Sequence, residues 1–414
     1  MSSIDVIALG AGMVGVSAAL QLTRRGRKVV LVDRREPGQE TSFGNAGILE
    51  REGLVPTGFP RELSALLRYG LNLAPEANYR LRDLPGLASW LWAFRKHSTD
   101  AAAEAYAAAN DALCREGIAE HRLLSAEAGA DRLFRETGWI RLYRTPQGFA
   151  GTKLLLALSD RYGVKYQHLT TKELTDLEPH IAADKVFEAL RFPETQSVSW
   201  PEAVTRAYAD LFLKLGGRFV TGEAQSLRQT ETGWAVNTAE GEIAAPEVVL
   251  ALGPWSAELA AKFGYRFPLA SKRGYHVHYG SEGNAVLNAP VVDCERGYVL
   301  APMEKGIRLT TGIEIADRDA PPNYRQLNQL DQIAREMFPL AEERAPRWLG
   351  RRPAMPDHLP VLGPAPRHRG LWFDFGHGHL GFTQGPVSGR LLADMMTGAQ
   401  PFLDVSALKP TRFV

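Results

Sequence analysis

Residues 5–33 read DVIALGAGMVGVSAALQLTRRGRKVVLVD, and this stretch decides the fold. Asp5 to Leu9 is an apolar run of strand length. A glycine turn follows at once, then Val14 to Arg25 with apolar residues at helical spacing, then Lys28 to Val32 as a second strand stopped by Asp33. A β-turn-α-β unit within about 30 residues is the opening of a parallel, doubly wound sheet. Gly10, Gly12 and Gly15 form GAGMVG between strand and helix. The first glycine permits the tight turn, the second lets the backbone approach a pyrophosphate, and the third lets the helix pack on the strand. The helix N-terminus then offers N–H groups and a partial positive charge to the phosphates. Asp33 stands 18 residues after Gly15, where a carboxylate accepts bonds from both ribose hydroxyls. An acid there disfavours a 2′-phosphate, hence NADP, but does not separate NAD from FAD. A glycine-rich structural turn is the alternative; strand, turn, helix, strand and acid in this order favour a dinucleotide site.

Further along, Thr99 to Gly129 is Ala-rich and helical, with Thr99 or Asp100 as its cap. Helices are also expected over Thr152–Arg161, from near Thr170, after Pro201 as far as Gly216-Gly217, over Leu327–Phe338, and from about Thr383 to Thr397. Strands are expected at Trp139–Arg144, Arg218–Val220, Trp234–Asn237, Val248–Leu252 and Leu371–Phe375. Tyr275–Tyr279, Tyr298–Ala301 and Ile307–Gly312 read as strands of an antiparallel sheet. The segment from Pro60 to Ser98 is mixed. Within it GLASWLWAFRKH sets aromatics beside basic residues, so Pro85–His97 suits either packing on the dinucleotide layer or a membrane interface.

The bulk numbers exclude several classes. Lys and Arg number 48 against 47 acids, so nothing argues for a nucleic-acid partner or a polybasic anchor. Two cysteines, Cys114 and Cys294, allow no disulfide framework and no CxxC metal spacing, which fits a reducing compartment. The N-terminal residues lack the pattern of a secretory signal, and no apolar run is long enough to span a bilayer. The expected location is cytoplasmic, or peripheral at the inner face of the membrane. With 414 residues, no internal repeat and no low-complexity linker, insertions interrupt the dinucleotide fold. The expected fold class is α/β: a discontinuous Rossmann-like dinucleotide-binding domain (residues 1–50, 185–262 and 345–414), which the resemblance below makes an FAD-binding domain, with an inserted α+β substrate domain (51–184 and 263–344).

Glu40-Thr41-Ser42-Phe43-Gly44-Asn45-Ala46-Gly47 places small hydroxyl and amide side chains where backbone can reach a flat ring. Together with the glycine turn, this segment resembles the D-amino acid dehydrogenase branch of the FAD-dependent amino acid oxidoreductases. Leu250-Ala251-Leu252-Gly253-Pro254-Trp255-Ser256 is similar to that family's second FAD segment. Gly350-Arg351-Arg352-Pro353-Ala354-Met355-Pro356-Asp357, followed by Pro360 and Gly363, resembles its Gly-x-Arg-Pro signature. Gly376-His377-Gly378-His379-Leu380-Gly381-Phe382-Thr383 resembles the turn that starts its last helix. Singly these motifs are weak, but all four fall in the family's order over nearly the whole chain.

The resemblance implies non-covalent FAD, because the cysteine that carries covalent flavin in some members is replaced by Gly350. Its contacts would come from Gly10, Gly12, Gly15, Asp33, Arg34, Thr41, Ser42, Asn45, Ala46, Gly47, Gly253, Trp255, Arg351, Gly378, His379, Leu380, Gly381 and Thr383. His377 and His379 have no third ligand nearby, so no metal is expected. Arg352, just before the proline, would clamp the substrate carboxylate, with a structural salt bridge as the alternative. Arg273 or Tyr275 would complete the clamp. The implied reaction is oxidative deamination of a small D-amino acid, or of a proline-type imino acid, by hydride transfer from Cα to flavin N5. Electrons would pass to a quinone or another acceptor that is not NAD. The rivals are a sarcosine- or glycine-type oxidase using oxygen and the flavin subunit of a hetero-oligomeric dehydrogenase.

Overall fold

The computed structural model describes residues 4–59, 68–72 and 74–413. Residues 60–67 and 73 of the mixed segment lie outside the described residues, as do 1–3 and 414. Val6–Leu9 lies parallel between Val29–Asp33 and Glu247–Leu250, and Leu371–Phe375 extends the parallel set. All four residues of Val6–Leu9 are fully buried, which is why this strand is a continuous apolar run with no polar alternation. Arg218–Gln229 joins parallel to Val29–Asp33 and then turns back through Trp234–Thr238 and Gly241–Ala245. With Val361–Pro364 on the other edge, the sheet has eight strands.

Helices Met13–Arg24 and Gly381–Met396 pack on one face of this sheet with Pro201–Lys214 and the long helix Asp100–Ala128. Thr99 caps the long helix by accepting from the Ala102 N–H, and Gly129 ends it in the left-handed region. Gly117 lets it cross the last helix closely, since a Cβ there would lie 2.4 Å from the Thr383 carbonyl oxygen.

The second sheet has eleven strands. Ala270–Ser281 runs through its middle and pairs antiparallel with Gly306–Thr311 and Trp348–Ala354. Tyr275, Val277 and Tyr279 pack with Leu327, Leu330 and Ala334 of helix Arg325–Arg335. Strand alternation therefore turns Lys272, Gly274 and His276 to the other face, towards the dinucleotide layer. Glu188–Phe192 pairs with Trp139–Tyr143, and Trp348–Ala354 pairs with Ala270–Ser281, so both strands join this sheet although they fall within 185–262 and 345–414, the segments expected in the dinucleotide layer. Their ladder partners lie far away in sequence, and composition does not reveal them. Among the described residues no helix is long and apolar enough to cross a membrane.

Candidate active site

A cavity of about 890 Å³ runs between the two sheets. One end is the glycine turn. Gly10 has φ +109°, and a Cβ there would lie 2.4 Å from the Ala251 carbonyl oxygen. A Cβ on Gly15 would lie 1.8 Å from the Gly10 carbonyl oxygen, so this glycine serves helix packing and does not face the cavity. The helix after Gly12 has no side-chain cap and no acid in its first turn, which leaves its positive end to a ligand. Ser42 Oγ accepts from the Met13 N–H at 2.9 Å, and Asp33 Oδ2 accepts from the Ala11 N–H at 2.7 Å. Both side chains are thereby fixed at the turn. Gly253 and Trp255 line the same end, with the Arg34 guanidinium 4.5 Å and that of Arg351 5.8 Å from the Trp255 ring centroid.

From there the lining passes along Thr41, Ser42, Asn45 and Ala46 to Gly378, His379, Leu380 and Gly381. Thr41 Oγ1 donates to the Arg351 carbonyl at 2.9 Å, tying the segment to the second sheet. Gly47 and Thr383 stand just behind the wall. Gly47, at φ +71°, lets the chain pass Val198, and Thr383 Oγ1 accepts from the Glu50 N–H at 3.2 Å. Buried His377 faces Asp374 at 3.4 Å; burial pushes the histidine down to about 3 and the aspartic acid well up. A pyrophosphate cradle, a ribose carboxylate and a strip of small residues on one continuous cavity fit FAD in shape and donor chemistry.

The far end is polar and charged. Arg352 Nη1 donates to the Gly312 carbonyl at 2.9 Å and Nη2 to the Thr311 carbonyl at 3.2 Å. Among the described residues no carboxylate lies within 4 Å of it, so carbonyls hold it in place of the structural salt bridge. Arg352 lines the cavity and has N–H groups beyond those two bonds. Around it stand four residues not singled out from the sequence: Glu50, Glu52, Arg141 and Lys272. Burial raises Glu50 to about 7, against the pull of Arg141 and Arg352. Glu52 is raised to about 7 by burial and by Glu50, although the Thr195 hydroxyl donates to it. Lys272 Nζ sits 4.1 Å from the Phe94 ring centroid and 5.6 Å from that of Trp90, and burial beside Arg352 lowers it to about 7. Enclosure in the cavity, then Arg352 and Lys272, push His379 down to about 3; its ring lines the wall 3.8 Å from Glu50.

Arg273 and Tyr275 do not complete the clamp. Arg273 is fully buried behind the sheet and paired with Glu314 at 2.9 Å, with carbonyls of Asp317, Ala320 and Pro321 taking its other donors. Tyr275 touches the cavity, but its hydroxyl donates to Glu314 at 2.6 Å and accepts from Arg273 and from the Asn323 N–H. Alternation along Ala270–Ser281 is the reason: both side chains share the face that packs on helix Arg325–Arg335, and Lys272 takes the cavity face. The segment Pro85–His97 divides as well. In helix Leu84–Lys96, Trp90 and Phe94 stack inward at 4.8 Å, and Trp90 Nε1 donates to the Ala354 carbonyl at 3.0 Å, whereas Trp92 is 64% exposed beneath Lys96.

A glycine turn shaped for a dinucleotide and a charged pocket at opposite ends of one cavity suit a flavin-dependent oxidoreductase. The chain matches the family described as FAD dependent oxidoreductase (DAO) over residues 5–395, and it belongs to that family. FAD is its cofactor. It is 31% identical over 418 residues to a D-amino-acid oxidase of Bradyrhizobium diazoefficiens, covering 99% of each chain. It is also 31% identical over 423 residues to a D-amino acid dehydrogenase of Granulibacter bethesdensis, again covering 99% of each. The fold is that of glycine oxidase from Geobacillus kaustophilus, with TM-score 0.76, 24% identity and 100% coverage of both chains. It is equally that of L-proline dehydrogenase from P. horikoshii, with TM-score 0.75, 19% identity and coverage of 100% and 98%.

Proposed function

We propose that the chain oxidises a D-amino acid at Cα and passes the electrons to a quinone or another acceptor that is not NAD. One observation carries the reading: Arg352 and Glu50 face the same end of a cavity whose other end is the dinucleotide turn. Arg352 holds the planar α-carboxylate and Glu50 holds the α-amino group, which presents Cα–H to the ring. Bound FAD supplies the hydride acceptor, and water then hydrolyses the imine to a 2-oxo acid and ammonia. Relatives named D-amino acid dehydrogenase and D-amino-acid oxidase support the substrate class. Gly350 supports non-covalent attachment, because a Cβ there would lie 2.3 Å from the Trp348 ring and leaves no room for a cysteine.

The test is anaerobic mixing of the yellow protein with single D- and L-amino acids, prolines, glycine and sarcosine while the flavin absorbance is followed. Bleaching by D-amino acids supports the reading. Bleaching by glycine or sarcosine alone replaces it with the oxidase reading, and bleaching by nothing replaces it with that of a subunit awaiting a partner.

The charged end predicts a pH dependence. Below about pH 7 Glu50 is protonated and cannot hold an ammonium, while Lys272 is charged and repels it. Raising the pH through 7 ionises the first and neutralises the second, and both changes favour binding. kcat/KM therefore rises between pH 6 and 8, as a property of the coupled cluster rather than of one residue. Glu50→Gln flattens that rise. A wild-type profile that is level across the interval contradicts this assignment.

Peripheral membrane contact forms part of the same proposal. Leu81 and Trp92 are 75% and 64% exposed, close in sequence to Arg82, Arg95 and Lys96. The protein is expected to float with anionic phospholipid vesicles, and Trp92→Ser is expected to reduce the floated fraction severalfold. Equal flotation of the two proteins removes this contact from the reading.

A further inference from the structure

We propose that Arg141 selects the substrate's side chain: its guanidinium holds an oxygen atom there, so amino acids with oxygen-bearing side chains are preferred over apolar ones of equal length. The proposal rests on the reading of an amino acid substrate and adds its class.

Arg141 is an anomaly in its own strand. Its neighbours in Trp139–Tyr143 are Trp139, Ile140, Leu142 and Tyr143, all buried. A cation in such a run is costly unless something matches it. Elsewhere this chain matches buried arginines with carboxylates: Arg51 with Asp111 at 2.6 Å, Arg144 with Asp293 at 2.7 Å and Arg273 with Glu314 at 2.9 Å. Arg308 is satisfied differently, by His278 and by the carbonyls of Phe43 and Asn45. Arg141 has neither arrangement. Its Nε donates to the Tyr143 hydroxyl at 3.2 Å, and its plane lies 5.6 Å from the Trp139 ring centroid. The Cys294 thiol and the Glu52 carboxylate face it, yet among the described residues no carboxylate comes within 4 Å. It lines the cavity, and beyond the Tyr143 hydroxyl and the Cys294 thiol its guanidinium keeps donors to spare for a ligand.

The placement suits a substrate side chain. Glu50 lies within electrostatic reach of both Arg141 and Arg352. A small amino acid in that space meets Arg352 with its carboxylate, Glu50 with its amine and Arg141 with its side chain. Three fixed contacts on the substituents of Cα also order them in space, which selects one enantiomer. A site built to hydrogen-bond a polar group rejects the analogue that lacks it, because its own donors are then left unpaired.

The experiment compares glutamate, glutamine and norvaline, both enantiomers of each, by anaerobic reduction of the flavin. For the reactive enantiomer, glutamate and glutamine are expected to exceed norvaline in kcat/KM by roughly 10- to 100-fold, the range of one charge-assisted hydrogen bond. Arg141→Met collapses that ratio towards unity, and Arg141→Lys retains part of it. FAD content matching the wild type shows that a variant is folded; should Arg141→Met fail that check, the Arg141→Lys ratio decides. A second readout needs no turnover: glutarate perturbs the flavin spectrum at lower concentration than pentanoate in the wild type, and the gap narrows in the variants. A wild-type enzyme that takes norvaline as well as glutamate, or ratios unmoved by either variant, overturns the role of Arg141 while leaving amino acid oxidation standing. If no amino acid reduces the flavin, the reading of the reaction falls. The glutarate and pentanoate titration then decides alone, and equal affinities overturn the inference too.

Discussion

Arg352→Met is expected to lower kcat/KM on the best amino acid by about 10²- to 10⁴-fold, with FAD content and the visible spectrum unchanged. The magnitude is that of losing a charge-assisted, bidentate grip on a carboxylate inside a cavity where water does not replace it. Of the two carbonyls that hold the guanidinium, Thr311 ends a strand of the second sheet and Gly312 links it to the next, and neither lies in the glycine turn. Cofactor binding and substrate binding are therefore separable at this residue. Methionine fills much of the same volume, so the strand Trp348–Ala354 has no reason to repack. The loss should appear mainly in KM if Arg352 grips the substrate and the transition state alike, and also in kcat if it aligns Cα–H for transfer. Arg352→Lys should recover only a fraction, since an ammonium lacks the planar fork. A change below threefold would remove Arg352 from the clamp and return it to the role its carbonyl bonds alone describe.

The glycine-turn end of the cavity is legible in the sequence, and its charged end only in part. Gly10, Gly12, Gly15 and Asp33 fall within one contiguous β-turn-α-β unit, where spacing and local conformation are the same information. The last turn, Gly376 to Gly381, is local in the same way. By contrast, the charged pocket gathers Glu50 and Glu52 from after a two-residue strand, Arg141 from the inserted sheet, Lys272 from its central strand and Arg352 from near the C-terminus. No local period links these. Glu50 and Glu52 flank Arg51, and a short alternating charge run reads as solvated surface. Arg51 in fact turns away to Asp111, while both acids face the cavity.

The error at Arg273 and Tyr275 has a physical source. In Lys272-Arg273-Gly274-Tyr275-His276 both faces of the strand carry polar groups, so hydrophobic alternation does not say which parity points inward. The helix packed behind the sheet decides it, and that helix lies some fifty residues further on. Arg141 did leave a signal: a single arginine between buried apolar neighbours in WIRLY is the pattern of a functional charge rather than of a strand edge.

The glycine turn predicts the other large effect. Gly10→Ala is expected to lower stability by about 3–5 kcal/mol and to yield protein largely free of flavin. Two costs add. At φ +109° an alanine backbone is strained by roughly 1–3 kcal/mol. Its Cβ would also lie 2.4 Å from the Ala251 oxygen and 2.8 Å from the carbonyl carbon, and overpacking of that order costs a further 1–3 kcal/mol or so. Neither neighbour is a flexible side-chain end. Relief requires Val6–Leu9 and the strand ending at Leu250 to separate where the pyrophosphate is cradled, so the strain and the loss of cofactor share one cause. Gly26→Ala separates the two terms. Gly26 also has positive φ, +80°, but a Cβ there meets nothing within 4 Å, and it lies on the far side of the first helix from the cavity-lining turn. It should carry only the backbone cost, about 1–2 kcal/mol, and keep its flavin. Thermal denaturation and the ratio of flavin to protein absorbance read both variants. If Gly10→Ala and Gly26→Ala lose stability equally and both retain FAD, the close approach at Ala251 does not hold the turn in shape, and the cradle must be ascribed to the Ser42 and Asp33 hydrogen bonds instead.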